Sequence, residues 1–76
     1  MRADELRDLL NAVPFRPFTV YAERQKAFRI ADPDFALLTP NGRTLVVSQQ
    51  LNDTLEVLDV PLIMRVEVET ERAAES

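Results

Sequence analysis

Apolar residues at Leu6, Leu9, Leu10 and Val13 follow the i, i+3, i+4, i+7 spacing that lays one stripe along a helix. Arg2, Arg7, Asp8 and Asn11 take the other side. The spacing predicts a helix over 3–12, with Asp4 as N-cap and Glu5 in the first turn, where the helix dipole favours a carboxylate. Asn11 can end it, and Pro14 ensures that it ends. About ten residues of helix do not hold alone in water, so the stripe must lie on something else.

Between helix and strands stands Pro14-Phe15-Arg16-Pro17-Phe18. Two prolines three residues apart fix φ and remove two backbone donors, so neither a helix nor a ladder runs through. From Phe18 the period becomes two. Phe18, Val20 and Ala22 alternate with Thr19 and Tyr21, and Lys26, Phe28 and Ile30 resume the pattern after Glu23-Arg24-Gln25, a hairpin turn without Gly, Asn or Asp. Asp32-Pro33-Asp34 breaks the chain before a short strand over 35–39; Asp32 could instead cap a helical turn through Phe35. Thr39-Pro40-Asn41-Gly42 suits a type I turn closed by a G1 bulge, with the only glycine at positive φ. A strand over 43–50 follows, Thr44, Val46 and Ser48 on one face and Leu45 and Val47 on the other. Asn52-Asp53 turns the chain into 54–60, read with Leu55 and Val57 inward, and Pro61 marks a corner. In the last strand, 62–69, Met64, Val66 and Val68 alternate with Arg65, Glu67 and Glu69; residues 70–76 read as a frayed tail.

One helix and about five short strands in a single domain of 76 residues predict a mainly β, α+β fold: a strongly bent antiparallel sheet or small barrel with the helix across one end. An open antiparallel sheet with the helix on one face is the alternative. The hinge Val13-Pro14-Phe15-Arg16-Pro17-Phe18-Thr19-Val20 and the closing Leu62-Ile63-Met64-Arg65-Val66-Glu67-Val68 resemble a family of small uncharacterised bacterial proteins with a leucine helix, an Arg-Pro-Phe-Arg-Pro-Phe-like hinge and an Ile-Arg-Val-Glu-like strand. Relatives in that family often carry Asp-Gly in the first hairpin and His-Pro before the third strand, where this chain has Glu23-Arg24-Gln25 and Asp32-Pro33. The resemblance implies no particular activity. The order of helix then bent strands is also similar to the Sm-like fold, whose members build rings and often bind RNA, with no Sm motif matched residue by residue.

Composition narrows the chemistry. There is no histidine and no cysteine, which removes the commonest general base, the strongest nucleophile, disulfide staples and most zinc or haem sites. Ser48 and Ser76 have no lysine or tyrosine placed in sequence to activate them, and Lys26, the single lysine, sits beside a turn. The reading is a non-enzyme without a cofactor. Asp32, Asp34 and Asp53 could converge on a hard cation, but further ligands and a loop glycine are missing, and turn chemistry explains the aspartates. Met1 is followed by charged residues and no apolar run reaches membrane-spanning length, so the expectation is a cytoplasmic chain.

The net charge of −4 does not favour nucleic acid. Tyr21, Arg24, Lys26, Arg29, Arg43 and Arg65, with Arg16, are the residues that could form a single-stranded RNA surface, against which Glu23, Glu56, Glu67 and Glu69 on neighbouring strands would pair with them. At this size a chain buries about 60% of its unfolded surface, so self-association is the open route to further stability. Apolar residues on both faces of 43–50 point the same way. The contact residues expected for a second copy or another protein are Phe15, Val46 or Val47, Leu58 and Ile63.

Overall fold

The computed structural model describes residues 2–49 and 54–69. Helix α1 (Ala3–Asn11) is followed by six strands: β1 (Phe18–Tyr21), β2 (Ala27–Ile30), β3 (Ala36–Leu38), β4 (Thr44–Gln49), β5 (Thr54–Asp59) and β6 (Arg65–Val68). They form two antiparallel three-stranded sheets, ordered β2-β1-β6 and β3-β4-β5. The sheets are open and do not close into a barrel, so β2, β6, β3 and β5 are all edges.

The N-cap falls two residues before the expected Asp4, and the helix ends one residue earlier than expected. Arg2 holds the N-cap position without a side-chain bond, and Asp4 lies inside the first turn, where it meets Arg7 at 3.8 Å. Leu6 is fully buried and Leu9 and Leu10 pack against the core, but Val13 is 95% exposed. The helix ends at Asn11 and Ala12 is already extended, so Val13 leaves the helical register before its side chain can join the stripe.

Phe18 and Val20 of β1, Phe28 and Ile30 of β2, and Leu45 and Val47 of β4 turn inward and meet Leu6, Val60 and Ile63 in one core. Strand alternation places these residues, and every side chain buried among the described residues is apolar. Two short 3₁₀ turns shape the connections. Asp32 accepts the Asp34 N–H at 2.9 Å and caps Pro33–Phe35, so the helical-turn alternative holds there and β3 begins at Ala36. Val60–Leu62 makes the Pro61 corner, which delays the last strand to Arg65. The Thr39 turn closes through Gly42 N–H to Thr39 C=O at 2.8 Å, with Gly42 at φ +73°. The expected Asn52-Asp53 turn and the 70–76 tail lie outside the described residues.

The inward parity of β5 is corrected by the structure. Leu45 pairs Leu58 and Val47 pairs Glu56, so Leu58 packs on the core while Leu55 and Val57 stand outward, 68% and 67% exposed. Apolar residues occupy both parities of 54–60. The Val60 N–H bonds to the Arg43 C=O at 2.8 Å, and this pairing sends Val60 and Leu58 inward. A one-residue change of register moves a strand's whole side-chain set to the other face.

Candidate protein-interaction surface

The outer faces of the two sheets differ in chemistry. On β2-β1-β6, the register sets Arg29, Thr19 and Glu67 in one row and Ala27, Tyr21 and Arg65 in the next. Arg29 donates to both Glu69 carboxylate oxygens, at 2.5 and 2.9 Å, in a two-pronged pair. The Tyr21 hydroxyl donates to Glu67 at 2.9 Å, Arg65 pairs with the same carboxylate, and the Arg65 guanidinium lies 3.8 Å above the Tyr21 ring. The hydrogen bond to Glu67 raises the Tyr21 phenol above its ordinary value. The hydrogen bond from Arg65 lowers Glu67, and that from Arg29 lowers Glu69, below the usual carboxylate range. Three of the residues considered for RNA, Tyr21, Arg29 and Arg65, are therefore engaged by two of the chain's own carboxylates.

Arg24 and Lys26 sit at the tip of the first hairpin, beside Val57, Leu58, Asp59 and Leu62, around a shallow depression of about 290 Å³ that also includes Glu23. Arg43 is exposed at the start of β4, its carbonyl held by Val60. Among the described residues there is no group of three or more acidic side chains that could hold a metal ion.

The outer face of β3-β4-β5 is apolar instead. Leu37, Val46 and Val57 lie in one cross-strand row, and Leu55 pairs Ser48 in the adjoining row. Leu37 is 63% exposed, close to Leu55 and Val57, and half-buried Phe35 borders the same face around a depression lined also by Asp34, Leu37, Val46, Ser48 and Leu55. Cross-strand neighbours stand about 5 Å apart, so these side chains make one continuous patch.

The expected contact residues divide. Val46 is on this outer face. Val47 and Ile63 are buried at 1% and 3%, taken up by the domain's own core, and Leu58 packs on that core from β5. Phe15 is half-buried, its ring 5.9 Å from Phe18. Leu37 was not singled out by the sequence pattern, and Leu55 and Val57 were expected inward rather than on this face. The available signal was the run of apolar residues on both parities of 54–60, which shows that one set must be outward without saying which.

A third depression lies between α1 and β6. A cavity of about 550 Å³ is lined by Glu5, Asp8 and Leu9 of the helix and by Met64 to Val66 and Val68. A further 320 Å³, lined by Leu9, Val13, Arg16 and Val68 among others, adjoins it. No helix among the described residues is long and apolar enough to cross a membrane.

Together these features define a small α+β domain with an apolar outer sheet face. In comparisons with known proteins, no family model matches the chain, no curated protein matches its sequence and no solved structure matches its fold.

Proposed function

We propose that this chain is a non-enzymatic, self-associating domain that acts through protein contacts, and that a second copy covers the outer face of β3-β4-β5. The observation that carries the reading is the row of exposed Leu37 and Val57 on either side of half-buried Val46, with exposed Leu55 beside it, a contiguous apolar patch on a domain too small to hide it. Such patches on soluble domains mark association surfaces. β5 adds an open edge along the same face, the kind of edge that symmetric pairing between copies covers. The lack of histidine and cysteine supports a non-catalytic role.

Light scattering coupled to size exclusion, at low and high salt over a tenfold concentration range, tests the reading. The expected result is an oligomer that survives salt, with Val57→Lys or Val46→Glu giving a folded monomer. A monomer at every concentration overturns it, as does unchanged mass in both variants with their circular dichroism intact.

A further inference from the structure

We propose that the groove between α1 and the free edge of β6 receives an extended basic peptide segment of a different protein, which adds as a strand beside β6. This surface is separate from the outer face of β3-β4-β5 and stands whether or not the chain self-associates.

The backbone of β6 presents a strand edge. The Glu69 N–H bonds to the Pro17 C=O at 2.9 Å, and Glu67 pairs Thr19 and Arg65 pairs Tyr21 in the same register. In an antiparallel ladder the residues facing the partner strand alternate with those facing away. The odd residues of β6 thus turn their backbone groups to β1, and Val66 and Val68 turn theirs to the open edge. An edge of this kind is a template for an added strand, with main-chain bonds for affinity and alternate side chains for selectivity.

Val66 and Val68 pair Val20 and Phe18, both fully buried, yet Val68 is 38% exposed and Met64 72%. Val66 and Val68 lie on the core-facing side of the sheet, but among the described residues no strand stands beyond β6 to cover them. The two adjoining cavities between them and the helix, meeting at Leu9 and Val68, run along this uncovered strip. A strand added to β6 would place every second side chain into that space.

Charge selects the occupant. Glu5 and Asp8 line the helical wall and make no ion pair among the described residues, whereas Asp4 is shared by Arg2 and Arg7. The Arg65 guanidinium is held by Glu67 and Tyr21 on the opposite face. Arg16 alone stands at the far mouth against two carboxylates. The groove is acidic, so it favours lysine or arginine at a position facing Glu5 and Asp8. A second copy of this chain, at net charge −4, is a poor fit for it.

The test is an amide-detected NMR titration with the acetylated, amidated peptide Thr-Val-Thr-Val-Thr-Lys and with its counterpart ending in Glu. The lysine peptide is expected to shift the Leu9, Val66 and Val68 amides and to bind about threefold or more tighter than the glutamate peptide. Methylating alternate backbone nitrogens of the lysine peptide should abolish the shifts. Glu5→Lys with Asp8→Lys should invert the preference, and Glu5→Gln with Asp8→Asn, which adds no repulsion to the helix terminus, should erase it. The proposal is overturned by absence of shifts at millimolar peptide, by shifts confined to the outer face of β3-β4-β5, or by equal affinity for both peptides. Concentration-dependent shifts of the same three amides without peptide would also overturn it, because the occupant would then be a second copy.

Discussion

Gly42 stands at φ +73°, and a Cβ built there would fall 2.5 Å from the Ala3 Cβ, so both backbone conformation and space require glycine. The turn and the start of α1 lock together at this point, and Arg7 adds a 3.4 Å bond to the Pro40 carbonyl. Gly42→Ala should destabilise the domain by about 2 kcal/mol or more, combining left-handed strain with overlap, and lower Tm by about 4–8 °C for each kcal/mol. Adding Ala3→Gly should recover the overlap part and leave the strain; a thermal melt of both variants separates them. The first hairpin carries the opposite situation. Arg24 and Gln25 both lie at φ 61° without glycine or asparagine. Arg24→Asn with Gln25→Gly should therefore raise stability by about 1 kcal/mol, read as a higher urea midpoint at unchanged slope. Gly42 was legible in the sequence because its turn has the proline, asparagine and glycine that the geometry needs. The Arg24-Gln25 turn had no assignable type because its residues carry no such preference.

Among the elements, β5 shows how far periodicity reaches. Leu58 faces the core and Leu55 the surface, although they are the same residue type three positions apart. Leu58→Ala should cost about 2 kcal/mol, and Leu55→Ala within about 0.5 kcal/mol when measured at concentrations where the chain is monomeric. Equal costs in chemical denaturation would contradict the Leu45–Leu58 register. The charged face of β2-β1-β6 makes a pH prediction. Glu69 is lowered in the folded state by its hydrogen bonds from Arg29, so its contribution to stability is present above the ordinary carboxylate range and is lost as pH falls through the lowered value. Arg29→Gln should move the Glu69 titration, followed by carboxyl NMR, back up toward the ordinary range and reduce the acid dependence of stability. The pairing partners were readable from strand alternation, which puts Arg29 and Glu69 on one face; that Glu69 reaches across β1 to Arg29 depends on the register of β6.

At the scale of the whole molecule, a single core is shared by two open sheets and one helix, with four strand edges around it. One outer face is a set of matched charges and the other is apolar. If the apolar face holds a second copy, association stabilises the native state by mass action. Tm should then rise with protein concentration over about a hundredfold range in the parent chain and stay constant in Val57→Lys. A concentration-independent Tm in the parent, with a monomer in light scattering, would leave the face without a self-partner. The positions that make this surface come from three strands, so no contiguous stretch of residues announces it.

The sequence by itself determined what depends on neighbours along the chain: the leucine helix, the proline hinge, the parity of β1, β2 and β6, and the glycine turn. Those follow from φ restriction, helical or strand period and turn chemistry, all of which act over a few residues. The tertiary structure alone decided that the strands divide into two open sheets, that Leu58 rather than Val57 enters the core, that Val47 and Ile63 serve the core and not a surface, and that Leu37, Val46 and Val57 align. The physical reason is that apolar residues on both parities of a strand satisfy either register equally well until the partner strand's hydrogen bonds choose one.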